Sequence, residues 1–416
     1  MTQQGGGGGV AEIQGLYGPF SFPEKLLQQI WLRGDFDQAR ARTTDGRPVR
    51  VLQVGRWNRL GGPDFKQARI DIGGEIVSGD VEIHLHASDW AAHGHSSDRG
   101  YERVVLHVIL FPTDELATLG CDGHRLPILP LLPLLNHDLE EYAADEAIER
   151  LADHPLAQVR SELLQMEPAR LQQELQRLAA RRWDQKVHFA KLRVGRLGWD
   201  AACHHTALEI LGYRFNRAPM LAVATAYPLA EWGRADANFL KNVHARFDDR
   251  WYKQSIRPAN HPRARLQQYA QWVAARPDWP QKLLRLSGKL PSLEMAHAFQ
   301  TGAVRRAHRW PELTKQLVSQ VFGDAVGGTR LNTLICDGML PLLASQPSAV
   351  ALSGLWFAWP PGDIPAKYGR TLRELGIVDA RVRPLSHGVL QGLIGWLLAN
   401  ESSVQPSCPT RDGSGA

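Results

Sequence analysis

The sequence predicts an α/β domain with a mixed sheet, followed by a mainly helical C-terminal region. Two observations carry that reading. Between Pro23 and Phe111 the apolar spacing passes from helical to alternating, giving the order helix, three strands, an irregular or helical crossover, and a buried strand. From Asp138 onward helix formers dominate, with Leu, Trp and Val at intervals of three and four and Arg or Lys between them. No fixed repeat period indicates a solenoid.

Taken in order, the Gly5 to Gly9 run lacks the basic, apolar and cleavage regions of a signal peptide, so residues 1–19 are expected to be a disordered tail. Pro23 and Glu24 open KLLQQIWLRGDF, where Leu26, Leu27, Ile30 and Trp31 recur at helical spacing. Asp45-Gly46 signals a turn into VRVLQVG, a β-branched strand. Gly61-Gly62-Pro63 is a sharp backbone device that delivers Asp64 at the start of the strand carrying Ile70 and Ile72. Gly73-Gly74 turns the chain into EIVSGDVEIHLH. After WAAHGHSSDRGY comes RVVLHVILF, whose nearly continuous apolar run marks a strand buried on both faces. The expected domain spans 20–115. A Pro-rich linker over 116–137, helical domains over 138–402 and a second frayed tail over 403–416 complete the chain.

Composition narrows the function classes. The chain of 416 residues has a formal net charge of +5, which permits contact with nucleic acid without requiring it. Its four cysteines, Cys121, Cys203, Cys336 and Cys408, form no CxxC pair, so neither a disulfide framework nor a cysteine zinc site is indicated. The most apolar piece, Leu126 to Leu135, is too short and too rich in proline to cross a bilayer. A soluble cytoplasmic protein with no membrane association is expected.

The chemistry concentrates in Gly79 to Asp98. Strand alternation puts Val81, Ile83 and Leu85 on one face and Asp80, Glu82, His84 and His86 on the other. Neighbours on that face lie about 6.6 Å apart at Cα, so Glu82 and a flanking histidine can close on one ion or one phosphate. Asp89, His93, His95 and Asp98 follow at once. A half-solvated strand also alternates, but its wet face seldom concentrates His and acid while avoiding Lys, Ser and Thr. Asp64 and Glu82 are candidate oxygen ligands of a divalent ion, Mg²⁺ or Mn²⁺, with His84 positioning or deprotonating water. His86, His93 and His95 add donors that make Zn²⁺ a further candidate.

Other residues carry blander readings. His107, inside VVLHVI, reads as a core histidine or one that orients a ligand. Trp57 and Trp90 read as packing. Arg257, Arg263 and Arg265 around IRPANHP are candidate phosphate contacts, since guanidinium forks match phosphate oxygens, although a solvated helix start explains them as well. The basic run from Arg181 to Arg196 reads as a solvated helix face, and Cys203-His204-His205 as helix surface.

Asp64 after Gly-Gly-Pro, then Glu82 and His84 on the next strand, resembles the PD-(D/E)XK motif of the restriction-endonuclease-like superfamily, with Glu-Ile-His in place of Glu-x-Lys. The resemblance implies an αβββαβ core, a metal-dependent nuclease acting on DNA or RNA, and a share in the site for an acid on the first helix, here Glu24. Over most of its length the chain also resembles a bacterial family known as domain of unknown function 2851. The blocks that carry this include TTDGRPVRVLQVGRWNRLGGPDFKQARIDI, GDVEIHLHASDWAAHGHSSDRGYERVVLHVI, LGYRFNRAP and NTLICDGMLPLL. Only Cys408 stands where that family has a small C-terminal cysteine cluster, so no metal role is expected of the tail. Two rival readings share these residues. One is a zinc metallohydrolase of a substrate other than nucleic acid, from His84-x-His86. The other is a catalytically inactive binder of nucleic acid or a partner protein, with a structural metal site.

Overall fold

The computed structural model of the protein describes residues 10–12, 21–58, 61–136, 163–213, 216–248, 250–253, 258–298, 301–347, 349–362 and 385–399, with Leu139, Tyr142 and Arg373. Arg257, Cys408 and the C-terminal tail lie outside the described residues. So does the N-terminal tail, except that Val10–Glu12 pairs antiparallel with Ser21–Pro23.

Helix α1, Glu24–Arg33, buries Leu26, Leu27, Ile30 and Trp31. Each such side chain contributes about 1.5–3 kcal/mol by leaving water. The Trp31 indole is further tied by Nε1 to the Val54 carbonyl at 3.1 Å. Glu24 and Gln28, one turn apart, flank this buried stripe and remain at the rim of the sheet.

The sheet keeps its strands in chain order. Strands β1 (Val49–Gln53), β2 (Phe65–Ile72) and β3 (Glu75–His84) form an antiparallel meander. Strand β4 (Val104–Ile109) then returns parallel to β3, and β5 (Ile128–Pro130) lies parallel to β4. The crossover from β3 to β4 carries the short helix α2, Asp89–Ala92. Val81, Ile83 and Leu85 join the core formed with α1, Leu106 and Val108. The opposite side of β3 and β4, which carries Glu82, His84 and His107, is also covered, and the three are 5 %, 1 % and 0 % exposed. The polar face is a buried site and not a wet surface.

Two local devices fix the strand that bears Glu82. Between Phe65 and Ala68 the register slips, with Gln67 at φ 60°, and the Gln67 amide donates to Asp80 Oδ1 at 3.0 Å. Asp80 therefore serves this bulge and stays apart from the chemistry. At Gly79 a Cβ would stand 2.4 Å from Val105 Cγ1 and 2.5 Å from the Arg103 carbonyl, so only glycine lets β3 approach the start of β4 this closely.

Within the Pro-rich stretch expected as a linker over 116–137, described residues between Thr118 and Pro130 form strands instead. Thr118–Leu119 pairs with Arg125–Leu126, and Ile128–Pro130 adds the edge strand to the sheet, with Leu126, Ile128, Leu129 and Leu131 fully buried. Proline belongs at such an edge because it has no N–H to give a further strand. The Pro127 carbonyl still accepts from the His107 amide at 3.0 Å.

The second part is helical. Helix α3, Pro168–Leu197, leads into α4, Trp199–Leu211, and α5, Arg217–Ala226. Helix α6, Ala237–Arg246, follows, and His387–Ala399 packs back along α3. Two surface expectations fail here. Cys203 and His204 are 0 % and 1 % exposed, because α4 is enclosed by its neighbours. In the basic run, Arg182 is buried against Gln391, Lys186 reaches Asp337 at 3.1 Å and Arg193 reaches Glu209 at 2.7 Å, so much of that face packs inward.

Candidate metal centre

The left-handed turn at Gly62 (φ 94°) and the Asn58 side chain, which donates to the Pro63 carbonyl at 2.9 Å, set Asp64 at the head of β2. Phe65 pairs with Val81, so Asp64 lies beside Glu82 across the ladder. The Asp64 amide donates to Glu82 Oε2 at 3.0 Å. Asp64 Oδ2 accepts from the Ile83 amide at 3.1 Å, and Oδ1 from Gln28 Nε2 at 2.7 Å. Gln28 Oε1 in turn accepts from the Trp57 indole at 3.3 Å. Burial and the neighbouring Glu82 carboxylate push the Asp64 carboxyl up to about 8, against the hydrogen bonds from Gln28 and Ile83.

Glu82 Oε1 faces the histidines, 3.5 Å from His84 Nε2 and 3.3 Å from His95 Nε2. His84 Nε2 is also 3.1 Å from His93 Nδ1. One ring nitrogen from each of His84, His93 and His95 falls within a 4.8 Å cluster. Two ligands held tetrahedrally at 2.0–2.1 Å from an ion stand about 3.3 Å apart, close to the spacing from Glu82 Oε1 to His84 and His95 and from His84 to His93. His95 Nε2 is buried and, despite Glu82 Oε1 at 3.3 Å, lacks the alignment of a hydrogen bond. A buried nitrogen aimed at other donors without a proton partner suits a metal ligand. His95 is held in place by stacking on Tyr101, with ring centroids 3.8 Å apart, and by its edge against Trp90.

Behind the cluster runs a relay. Register sets His107 opposite Glu82, and His107 Nε2 meets His84 Nδ1 at 3.0 Å while His107 Nδ1 meets Thr118 Oγ1 at 2.7 Å. Burial disfavours the imidazolium, bringing His84 down to about 2 and His107 to about 3, so both rings are neutral with one proton each. If His84 Nδ1–H donates to His107, and His107 Nδ1–H to Thr118, then His84 Nε2 presents a lone pair to the cluster. The opposite setting puts a proton there. Only the first setting offers a ligand, and second-sphere partners of this kind commonly fix it.

Glu24 stands at the rim of this site. Burial, with Asp89 and Glu82 nearby, raises its carboxyl to about 7, against the pull of His95. Asp89 Oδ2 accepts from the His86 amide at 2.8 Å. The structure thus brings together Asp64, Glu82, His84, His93 and His95, with Glu24 adjacent.

It leaves out others. His86 lies beyond the end of β3, exposed and stacked on Phe111 at 4.8 Å, because the strand stops at His84 and the chain bends through Leu85 and His86. Arg265 is buried and engages Asn260 and, at 2.6 Å, Gln268, so its guanidinium serves the helical core and not a phosphate. Arg263 is exposed at the start of the helix Pro262–Ala275, where it solvates that terminus. Gln28 and Thr118 were not anticipated. Gln28 could have been found from its spacing of four after Glu24 on a helix, whereas Thr118 reaches His107 only through the edge hairpin.

Compared with known proteins, the chain matches the family model described as protein of unknown function (DUF2851) over residues 24–247, a span that contains every residue of this site. No curated protein and no solved structure matches it.

Proposed function

The chain belongs to the DUF2851 family, and from its own site we propose that it is a metal-dependent phosphodiesterase of the nuclease type. The observation that carries this reading is the convergence of Glu82 Oε1 with nitrogens of His84 and His95 at 3.5 and 3.3 Å, beside the carboxyl of Asp64. The order helix, three strands, helix, strand and the Asp64, Glu82, His84 sequence along it support the likeness to the PD-(D/E)XK nucleases.

Glu82, His84, His93 and His95 would hold the ion, and a set rich in imidazole suits Zn²⁺ or Mn²⁺ better than Mg²⁺. When bound, the ion supplies Lewis acidity to a phosphoryl oxygen and makes water a nucleophile near neutral pH. His84 acts as a ligand in this reading and not as the base, since both its nitrogens are engaged. Glu24, whose carboxyl titrates near neutrality, is placed to accept the proton of the attacking water. Asp64, protonated near neutral pH, can return a proton to the leaving oxygen.

The test is cleavage of plasmid and single-stranded oligonucleotides with Mg²⁺, Mn²⁺ or Zn²⁺. Cleavage that needs an ion and falls at least ~100-fold in Glu82→Gln supports the proposal. An ion held tightly without cleavage of any nucleic acid contradicts it. The histidine-dominated donor set also favours a second reading, a zinc hydrolase of esters or lactams, which the same preparations would reveal by turnover of such substrates.

A further inference from the structure

Between the β1 edge of the sheet and helices α3, α5 and α6 lies a cleft of about 1730 Å³. Its described lining contains eight arginines against two aspartates, Asp37 and Asp200. Three of the arginines are neutralised: Arg50 by Asp71 at 3.0 Å, Arg193 by Glu209 at 2.7 Å and Arg196 by Asp37 at 2.9 Å. Four exposed ones have no carboxylate partner among the described residues. Arg40, in the turn after α1, and Arg56 stand on the wall formed by the first domain, where Arg56 reaches the Gln67 amide oxygen at 2.7 Å. Arg246 and Arg250 stand on the helical wall, 5.7 and 6.0 Å from the Phe247 ring centroid. The lining also includes apolar Leu197, Ala222 and Val273 and the Phe247 ring.

Uncompensated guanidinium groups on two facing walls repel one another and are retained at a cost unless an anion spans them. A small anion would meet one wall. A polyanion meets both, and a groove that pairs arginines for the backbone with apolar and aromatic surface for the bases, here including Phe247, is the arrangement single strands use. The cleft and the metal centre share strand β2: Arg56 pairs with Lys66 on it, and Gln67, in the cleft lining, is three residues from Asp64, about 10 Å along a strand.

We infer that this cleft binds a single strand of nucleic acid, with phosphates on Arg40, Arg56, Arg246 and Arg250, and feeds it toward Glu82. The direction of feeding rests on the phosphodiesterase reading; the binding does not. The test is the fluorescence anisotropy of a labelled polythymidine oligonucleotide with full-length protein carrying Glu82→Gln, in chelator and over a range of salt. Binding is expected to weaken linearly on a logarithmic salt axis. The pairs Arg40→Ala with Arg56→Ala and Arg246→Ala with Arg250→Ala should each flatten that slope by about 1.4, at roughly 0.7 per lost phosphate contact. The corresponding Lys pairs should keep the slope, which separates lost charge from lost fold. No binding at low salt, tighter binding of the matching duplex, or slopes unchanged in both Ala pairs overturns the inference. Salt-dependent binding without cleavage by the unsubstituted protein overturns the phosphodiesterase reading and leaves the cleft standing.

Discussion

Asp64 and Glu82 hold each other through main chain and side chain together: the Asp64 amide donates to Glu82 Oε2 at 3.0 Å, while Asp64 Oδ2 accepts from the amide that follows Glu82, that of Ile83, at 3.1 Å. Neither acid can be moved without disturbing the other strand. Glu82→Ala is therefore expected to cost about 1–3 kcal/mol, because the Asp64 amide loses its acceptor in a largely buried place. Glu82→Gln keeps an acceptor oxygen there and should cost less. Urea unfolding of the two variants in chelator checks the order.

Thr118 controls the histidine cluster from a distance. Thr118→Val removes the oxygen that meets His107 Nδ1 at 2.7 Å, and with it the acceptor required by the setting in which His84 Nε2 is bare. Metal affinity should fall about 10–100-fold, the usual effect of losing an outer partner. Thr118→Ser should keep it. Competition titration with a zinc chelator measures both.

Gly79→Ala tests whether the site depends on how closely β3 approaches β4. The added methyl would meet Val105 Cγ1 at 2.4 Å and the Arg103 carbonyl at 2.5 Å, and backbone on one side cannot give way cheaply. A loss of about 1–3 kcal/mol is expected from overpacking. Metal affinity should fall as well, since Glu82 lies three residues along the displaced strand. Stability lost with metal affinity intact would show that β3 relaxes without moving Glu82.

The buried neutral histidines should lower stability as pH falls below about 6.5, against the opposite effect of the raised Asp64 and Glu24 carboxyls, and His204 accounts for part of it. Its Nε2 stands 3.0 Å from the Tyr227 carbonyl, which only accepts, so Nε2 carries the proton and Nδ1 accepts from the Tyr269 hydroxyl at 2.6 Å. Burial holds this ring down to about 4, below the value of about 6.5 expected in the unfolded chain. The unfolded state thus binds the proton first. The contribution of the neutral ring is complete above about pH 6.5 and is lost as pH falls toward 4, by about 3 kcal/mol at most. His205, His84 and His107 are shifted in the same direction. In His204→Gln the proton uptake on unfolding near pH 5, taken from denaturant titrations at several pH values, should fall by about one.

Much of the first domain was legible because local signals agreed with burial. Leu26, Leu27, Ile30 and Trp31 at helical spacing form the buried stripe of α1, and Val81, Ile83 and Leu85 alternate into the core as their period requires. Glu82 and His84 were legible for the same reason, since strand alternation sends them to one side. The errors arose where long-range packing overrode local composition. Prolines at 127, 130 and 133 look like a linker until the sheet supplies an edge that needs no donor. His86 follows the alternation, yet the strand ends at His84 and its ring turns to Phe111. Arg265 and the segment Cys203-His204 lie on helices whose polar residues are satisfied inside the bundle, which no short-range pattern reports. The facing arginine walls come from chain segments far apart in sequence, so the cleft has no sequence signature at all.

The claim on which the rest depends is that Glu82, His84, His93 and His95 close around one ion. The most direct measurement is elemental analysis of the protein after loading with Zn²⁺ and exhaustive dialysis, beside a variant carrying His84→Ala and His95→Ala whose far-ultraviolet circular dichroism matches. About one equivalent per chain in the parent and next to none in the variant is the expected result. No retained zinc in the parent, or equal retention by the variant, would contradict it.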